Sequence, residues 1–482
     1  MAAQLLIDGE LVSALGSETI AVPNPARPQE IVGTIPSCDA RDVDRAVAAA
    51  RAALPAWIGC ALSERIAILA RAAEVLAPVI PQAATLLTQE MGKILPESLS
   101  DVGSAQFMLG FLPQEALQVT VTERISDDFG SLELERRPLG VVAIIVPWNW
   151  PVSLLFVRVA AALAMGNAVV CLPSPYASLS VLRCVAALQY ALPPGVINSL
   201  SGWGPQVGAA LTRHPGIAKI SFTGGTETGR EVLRAAAEGV TRTSLELGGN
   251  DAAVLLDDVR VDEALGNSLV EATLTTSGQV CFAAKRILVA DAIYADVVEV
   301  FRAAADRIVV GDGLDESVTM GPLVNARQMH RFDEIVEHAV ADGAKVLEAG
   351  SLSPSADEGG YFRRPLVVTA VDNDNPLVAQ EQFGPAVPFQ RFASEAEAIA
   401  LANSTDFGLG ASVWSADTER ARGVARRLEA GMVFLNRHNM AAAHPRGAFG
   451  GTKRSGYGRE LGRWGLQANS ELLQIIDAPV ST

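Results

Sequence analysis

The apolar and polar positions after Gly140 alternate between short, almost wholly apolar runs and longer stretches with helical spacing. Runs that are apolar on both faces predict buried strands, whereas apolar residues about 3.6 positions apart predict helices. The predicted strands span 141–146, 168–172, 196–200 and 217–222, and the predicted helices span 152–165, 177–191 and 205–213. This alternation is typical of a parallel sheet whose strands are joined by right-handed helical crossovers.

A second series of the same kind follows Gly249. Its predicted strands span 252–256, 286–289, 367–371, 387–392, 411–414 and 433–436. Its predicted helices span 261–276, 292–307, 326–342, 394–403 and 417–429. Two α/β units are therefore expected to meet near residue 250.

The rest of the chain differs from these two series. Residues 41–93 are Ala-rich with apolar side chains at helical spacing, which predicts a helical lead-in. Residues 120–138 mix polar, acidic and β-branched side chains, which predicts an exposed hairpin, and 470–482 predicts a short strand.

Composition narrows the class of protein. The chain has 482 residues, a formal net charge of −16, 49% hydrophobic residues and 19% charged residues. This balance is typical of a folded protein of about two to four domains. An acidic chain without a Lys/Arg run is a poor partner for nucleic acid. The histidines show no metal-ligand spacing, so we predict no metal site.

The number and spacing of the cysteines, and the N-terminal residues, indicate the cellular compartment. The five cysteines are scattered and odd in number, which does not suggest a disulfide framework and favours a reducing cytoplasm. The chain begins without the basic segment of a secretory signal. Residues 140–157 are uncharged and nearly long enough to span a membrane, but Pro147, Asn149 and Pro151 interrupt them. We therefore predict a buried strand, a loop and a buried helix there.

Four local patterns are candidates for chemistry. Cys281 follows a glycine turn that could present its thiol to a ligand, although an isolated cysteine is more often a small core residue. Glu246 ends an apolar strand just before Gly248 and Gly249, and a carboxylate there is either a general base or bound to neighbouring amides. Asn149 follows the first strong strand, where its amide could donate to an oxyanion or simply stabilise a turn. Residues 222–230 form a glycine turn suited to phosphate, but they lack the Rossmann and P-loop spacings.

The order and spacing of these patterns resemble the aldehyde dehydrogenase superfamily across nearly the whole chain. Residues 381–385 are similar to the family's E-x-F-G-P, and 450–460 resemble its G-G-x-K-x-S-G-x-G-R-E. Residues 320–323 and 403–405 match two further family stretches. By this resemblance the chain is identified as a member of the NAD(P)-dependent, non-acylating type.

The resemblance implies an α/β fold of the aldehyde dehydrogenase kind, with two doubly wound parallel α/β domains and a small β oligomerisation element. Residues 1–118 and 139–248 would form the nicotinamide cofactor-binding domain, and 249–435 the catalytic domain. Residues 119–138 and 465–482 would form the oligomerisation element of a homodimer or homotetramer, while 436–464 would supply a substrate-mouth loop and return to the cofactor domain.

The resemblance also implies residue roles. Cys281 would attack an aldehyde to give a thiohemiacetal whose oxyanion binds the Asn149 amide and the Cys281 backbone N–H. After hydride transfer to NAD or NADP, Glu246 would activate the water that hydrolyses the thioester. Glu460 matches a carboxylate that the family uses in proton relay. The cofactor contacts implied are Pro147, Trp148, Ser174, Gly225, Leu247, Glu381 and Phe383; of these, Gly225 would lie at the pyrophosphate, Glu381 at the ribose and Phe383 near the nicotinamide.

Departures from the family pattern bear on specificity. Leu172 and Pro175 stand where many members carry a Lys and a Glu that contact the adenosine ribose, and neither replacement can hydrogen-bond through its side chain. We expect NAD rather than NADP, since no cation replaces the Lys. Arg158 stands where many members carry a Lys, which puts any proton transfer through that position in question. The tunnel residues implied are Trp150, Leu154, Val157, Phe282 and Phe449, and their apolar surface favours an apolar or aromatic aldehyde.

Three alternatives stay open at this point. A CoA-acylating dehydrogenase would pass the thioester to a thiol, although it would not need Glu246 as a water-activating base. A thiol esterase would use Cys281 without redox chemistry, and a catalytically silent relative would use neither.

Overall fold

The computed structural model describes residues 2–439 and 442–477. It contains a six-stranded sheet, a seven-stranded sheet and a three-stranded antiparallel sheet, with helices packed on the two large sheets. Each large sheet is parallel except for one antiparallel edge strand. The predicted α/β class is therefore correct, with a mixed rather than a purely parallel sheet in each half.

The six-stranded sheet contains the first predicted series of strands. Its strands Val141–Val146 and Ala168–Pro173 are apolar on both faces, as expected of parallel strands that helices cover on both sides. In spatial order its strands are Gly456–Tyr457, Arg242–Glu246, Lys219–Thr223, Val141–Val146, Ala168–Pro173 and Ile197–Ser199. The C-terminal edge strand, which the apolar pattern did not indicate, brings residues 456–457 beside Glu246.

The seven-stranded sheet contains the second series. In spatial order its strands are Lys345–Glu348, Leu366–Thr369, Ala386–Phe392, Ala284–Ala290, Asp251–Leu255, Gly410–Trp414 and Met432–Leu435. The strand before Glu246 belongs to the first sheet and the strand after Asn250 belongs to this one, so the chain passes between the sheets where the sequence predicted.

The smaller sheets complete the strand inventory. The predicted hairpin is formed by Glu123–Asp127 and Gly130–Pro138, and the tail strand Ser470–Asp477 pairs with it. The predicted tail beyond residue 477 lies outside the described residues. Further pairs, which the apolar pattern did not indicate, are Leu5–Ile7 with Glu10–Val12, Thr19–Asn24 with Arg27–Pro36, Val309–Val310 with Ser351–Leu352, and Phe407–Gly408 with Thr452–Lys453.

The helices follow the predicted order with shifted ends. The α-helices are Ala40–Gly59, Leu62–Leu76, Ile80–Met91, Leu95–Val119, Pro151–Ala164, Ser178–Ala187, Ala209–Arg213, Thr226–Gly239, Glu263–Leu274, Tyr294–Ala305, Ala326–Ala341, Pro376–Ala379, Glu395–Asn403, Thr418–Ala425 and Gly462–Gln467. The predicted helix 205–213 instead begins with a π-turn at Gly204–Gly208, and the helix predicted over 417–429 ends at Ala425.

Two apolar stretches bear on whether the chain could cross a membrane. Residues 140–157 form the strand and helix predicted for them, and most of their side chains are buried. The stretch Leu62–Met91 is long and apolar enough to cross a bilayer. It is broken by the turn Ala77–Val79, and Leu69, Leu76 and Leu87 belong to the core that covers the first sheet. Core helices of soluble proteins pass the same test, so this stretch is weak evidence for a membrane.

Candidate active site

The Cys281 loop is strained and held from several sides. It joins the helix Glu263–Leu274 to the strand Ala284–Ala290, and Thr276, Ser277 and Gly278 all have positive φ angles of 54°, 58° and 74°. Such backbone costs about 1–3 kcal/mol per non-glycine residue and persists only where the surroundings enforce it. Here the Thr276 N–H donates to Glu97 at 2.8 Å and the Ser277 hydroxyl donates to the Gly321 carbonyl at 2.8 Å.

Cys281 differs from the cysteines of the core. The residues Cys38, Cys171 and Cys184 are buried, whereas the residue Cys281 as a whole is partly exposed although protein atoms enclose its sulfur. Burial of the thiol and the nearby Glu381 and Asp251 carboxylates raise the pKa of Cys281 to about 12, while Lys285 opposes this rise. The thiol is therefore protonated at neutral pH before ligands bind, and it must lose its proton to act as a nucleophile.

Asn149 connects two loops at the thiol. Its buried side-chain Nδ2 donates to the Gln279 carbonyl at 2.9 Å, two residues before Cys281. A carboxamide has two N–H groups, so one orients the side chain while the other is available to an oxyanion.

A buried ion pair that the sequence analysis did not single out holds Asn149 from behind. Lys93 Nζ lies 2.8 Å from Asp101 and donates to the Asn149 carbonyl at 2.8 Å. The same ammonium sits 4.0 Å above the Trp150 ring, and Asp101 accepts the Ser153 N–H at 2.6 Å. This pair fixes the first turn of the helix Pro151–Ala164 relative to Asn149.

Glu246 ends the strand Arg242–Glu246 in a buried position. Its Oε2 has no hydrogen-bond partner among the described residues. Burial and the neighbouring Glu460 carboxylate raise the pKa of Glu246 well above its usual value, and the Arg158 and Arg459 cations oppose this rise. A carboxylate whose pKa is raised is a stronger base, so it can take a proton from water and later release it.

Arg158 and Glu460 form a buried ion pair close to this carboxylate. Arg158 Nε lies 2.7 Å from Glu460 Oε1. The single Nε–H donates instead to the Ser221 hydroxyl at 3.0 Å, so the Glu460 contact is electrostatic and lacks hydrogen-bond geometry. The remaining guanidinium donors bind the Leu154 carbonyl and the Thr223 hydroxyl.

The surface beside Cys281 suits a dinucleotide. Gly225 precedes the helix Thr226–Gly239, and a Cβ there would meet open space. No side chain among the described residues caps this helix, so its first N–H groups suit a phosphate. Glu381 accepts the Gly249 N–H at 3.1 Å, and any side chain at Gly248 would overlap its carboxylate. Phe383 packs edge-to-face on Trp148 at 5.5 Å. Pro147 and Leu247 follow the ends of the strands Val141–Val146 and Arg242–Glu246.

The region around Ser174 presents apolar and aromatic groups. Ser174 caps the turn Pro175–Ala177 by accepting the Tyr176 N–H at 3.5 Å, and Leu172 is buried in the preceding strand. Tyr176 packs edge-to-face on Trp203 at 5.6 Å. These two aromatic side chains, which the sequence analysis did not single out, stand close to the position of the absent Lys and Glu.

An aromatic cluster packs against Cys281. Phe282 packs edge-to-face on Phe449 at 5.7 Å and stacks on Phe434 at 6.3 Å. Trp150 and Leu154 belong to the same cluster. Val157 instead borders the small cavity between Arg158 and Glu460.

His438, also not singled out by the sequence, holds the residue after Cys281. Its Nε2 lies 2.7 Å from the Phe282 carbonyl and its Nδ1 lies 3.0 Å from the Ser412 hydroxyl. A carbonyl only accepts, so Nε2 donates a proton to Phe282. Ser412 also accepts the Trp414 indole N–H at 2.8 Å. These hydrogen bonds connect the segment after Asn436 to the Cys281 loop.

Comparison with known proteins identifies the family. Residues 12–475 match the model of the aldehyde dehydrogenase family. The glutarate-semialdehyde dehydrogenase of Pseudomonas putida is 35% identical over 97% of this chain and 96% of its own length. A putative aldehyde dehydrogenase structure from Burkholderia cenocepacia has a TM-score of 0.94 at 36% identity, covering 99% of this chain and 100% of that one.

A third similar protein has been solved with ligands. It is aldehyde dehydrogenase C of Pseudomonas syringae, a mutant in complex with NAD+ and octanal. Its TM-score is 0.92 at 36% identity, covering 98% of this chain and 96% of that one. The chain therefore belongs to the aldehyde dehydrogenase family and is an oxidoreductase that oxidises an aldehyde with NAD or NADP.

Proposed function

We propose that Cys281 is the nucleophile of this aldehyde oxidation and that its product is a carboxylic acid. The observation that carries this proposal is that the Asn149 amide bonds to the Cys281 loop, while the Glu246 carboxylate lies near enough to Cys281 to raise the pKa of its thiol. The thiol sulfur adds to the aldehyde carbon to give a thiohemiacetal. The Asn149 Nδ2 and the Cys281 backbone N–H bind its oxyanion.

The cofactor is the hydride acceptor of the reaction. For its binding we propose the helix start at Gly225 for the pyrophosphate, Glu381 for a ribose and Phe383 beside the nicotinamide. Pro147, Trp148, Ser174 and Leu247 complete the proposed contacts. The free N–H groups at Gly225 and the carboxylate beside Gly248 support these assignments, since phosphates need donors and ribose hydroxyls need acceptors.

Hydrolysis of the resulting thioester is assigned to Glu246. Its carboxylate takes a proton from the water that attacks the thioester carbon, and Glu460 relays that proton. This assignment favours a carboxylic acid over transfer to coenzyme A, because a thiol acceptor needs no water-activating base. It also argues against a simple esterase, which would leave the cofactor surface unused.

The oxyanion role of Asn149 leads to a test by substitution. Asn149→Ala is expected to lower kcat/KM by about 10²–10³, because one preorganised donor to the oxyanion is lost. The matched control is Asn267→Ala, an exposed asparagine on the helix Glu263–Leu274. A loss equally large in the control, or none in Asn149→Ala, contradicts the assignment.

NAD is the preferred cofactor in this proposal. Leu172 and Pro175 provide no cation for a 2′-phosphate, and Tyr176 and Trp203 add an apolar surface. We expect kcat/KM with NAD to exceed that with NADP by about tenfold or more, since a missing charged hydrogen bond costs about 1.5–3 kcal/mol. Comparable values with both cofactors, measured on one aldehyde, contradict this preference.

An apolar or aromatic aldehyde is the proposed substrate class. The aromatic cluster of Phe282, Phe434 and Phe449 supports this choice, as does the octanal bound by the Pseudomonas syringae relative. The test is a panel of octanal, benzaldehyde, succinic semialdehyde and glutaric semialdehyde, followed by formation of reduced cofactor. We expect the first two to have the higher kcat/KM, and a preference for either semialdehyde refutes the proposal.

Domain roles and assembly complete the proposal. Residues 1–118 with 139–248 act as the cofactor domain, 249–435 as the catalytic domain, and 436–464 as the mouth loop and return. Residues 119–138 with 465–482 mediate a homodimer or homotetramer. Exposed apolar side chains on the three-stranded sheet, including Ile125, Leu472 and Ile476, support this role. The family resemblance and the buried apolar segments indicate a soluble protein, and we place it in the cytoplasm.

A further inference from the structure

Two neighbouring strands of the first sheet, Lys219–Thr223 and Arg242–Glu246, are polar on one face, where parallel sheets are normally apolar. Paired residues of parallel strands point to the same side, and every second residue along a strand does so too. Thr223 pairs with Glu246, Ser221 with Ser244, and Lys219 with Arg242. This polar column therefore runs along both strands from Glu246 at one end to Lys219 and Arg242 at the other.

The column is mostly buried, which makes its polarity expensive. Lys219, Ser221, Thr223, Ser244 and Glu246 are all buried, whereas Arg242 is exposed and pairs with Glu471 of the tail strand. Buried polar groups cost free energy unless they are bonded or used. The column thus leads from a buried carboxylate to the protein surface.

The centre of the column holds a fixed positive charge. The Arg158 guanidinium binds the Ser221 and Thr223 hydroxyls and lies 2.7 Å from Glu460. Arginine stays protonated in proteins, so this side chain orients its neighbours but cannot accept a proton. Any group that receives a proton from Glu460 must lie elsewhere.

Lys219 is a group that could receive a proton from Glu460. Its Nζ donates to the Ala468 carbonyl at 2.9 Å and to Asn469 Oδ1 at 3.2 Å, which uses two of its three donor positions. A cavity of about 10 Å³ lies between Lys219, Ser221, Arg158 and Glu460. A space of this size holds about one water molecule, enough to bridge the carboxylate and the amine.

We propose that Lys219 receives, through Glu460 and water in this cavity, the proton that Glu246 removes from the hydrolytic water, and passes it to solvent. The proposal rests on the assigned role of Glu246. In the step an O–H bond of water breaks, its oxygen bonds to the thioester carbon, and the C–S bond to Cys281 breaks. The proton moves from Glu246 to Glu460, then to the neutral Lys219 amine, and leaves at the exposed end near Arg242.

The electrostatic setting agrees with this role. Burial lowers the pKa of Lys219 to about 8, while Glu460 raises it and Arg158 and Arg242 lower it further. A group whose pKa lies near the working pH exchanges protons readily in both directions. Because the neutral amine accepts the proton, deacylation should speed up as pH rises through this range.

The test measures deacylation directly. Enzyme acylated in a single turnover with NAD and octanal is quenched at intervals, and the acyl-enzyme remaining is measured by intact mass. Lys219→Met and Lys219→Arg are compared with wild type in dilute buffer. Lys345→Met, an exposed lysine of the other sheet, is the control. We expect both Lys219 variants to acylate normally and to deacylate at least about tenfold more slowly, a smaller loss than the ~10²–10⁴ typical of a direct acid–base group.

Two measurements distinguish a proton-relay role of Lys219 from a purely structural role. Arginine can keep the bonds to Ala468 and Asn469 but cannot act as a neutral acceptor, so rescue by Lys219→Arg overturns the proposal. Raising the concentration of a small amine buffer should restore deacylation in Lys219→Met while leaving wild type unchanged, and an unchanged slow rate also overturns it. Normal deacylation in Lys219→Met refutes the relay alone, whereas failure of wild type to form an acyl-enzyme refutes the proposed function itself.

Discussion

Cys281→Ala is expected to abolish the aldehyde-dependent formation of reduced cofactor, lowering kcat by roughly 10⁴-fold or more. Loss of a nucleophile removes the covalent path altogether, and only binding and residual electrostatic effects remain. Cys281 lies partly exposed in an aromatic cluster, so alanine should leave the fold intact. Reduced-cofactor formation over the aldehyde panel is the measurement.

The matched control for this substitution is Cys60→Ala. Cys60 is half-buried on the surface beside Glu64, far along the chain from the nucleophile loop, and its loss should leave kcat within about twofold of wild type. Equal activity of Cys281→Ala and Cys60→Ala would show that another group attacks the aldehyde.

Glu246→Gln is expected to stop the reaction after its first half. The amide keeps the size of the side chain but cannot take a proton from water, so hydrolysis should slow by about 10²–10⁴. Oxidation needs no such base, so each active site should still form one equivalent of reduced cofactor in a burst. Rapid-mixing kinetics measure the burst and the steady rate that follows.

The control and the pH dependence sharpen this test. Glu299→Gln changes an exposed carboxylate that pairs with Arg302 and should leave both phases unchanged. Because burial raises the pKa of Glu246, its basic form increases as pH rises through that raised pKa, and wild-type hydrolysis should increase with it. Absence of a burst in Glu246→Gln, with full loss of oxidation, contradicts the division of labour.

The sequence predicted those strands, helices and candidate site residues whose signal lies within one short segment. The strand Val141–Val146 and the helix Pro151–Ala164 follow directly from apolar runs and spacing. Glu246 and Asn149 became candidates because the first ends a strand and the second follows the end of one, where ligands of α/β sheets bind.

The groups that support the site depend on contacts between distant parts of the chain. Lys93 bonds to Asn149 across 56 positions and His438 bonds to Phe282 across 156, and neither spacing carries a local signal. The only local feature that marks the buried Lys93 in the sequence is its position next to Gly92.

Lys219 shows that the apolar pattern of a segment does not reveal the contacts of a buried polar side chain. Segment 217–222 was predicted as a buried strand, and the strand Lys219–Thr223 is indeed buried. Its polar side chains are tolerated there because three other segments supply partners. Arg158 binds Ser221 and lies beside Glu460. The Ala468–Asn469 turn accepts from Lys219. Val157 was placed in the substrate tunnel by resemblance, yet it borders the cavity beside these residues.

Intact mass spectrometry of Glu246→Gln incubated with NAD and octanal tests the central claim most directly. A thioester on Cys281 predicts that the protein gains the mass of one octanoyl group, that peptide mapping places it at Cys281, and that Cys281→Ala gains nothing. Formation of reduced cofactor with no acylated protein, or acylation that persists in Cys281→Ala, would contradict the account.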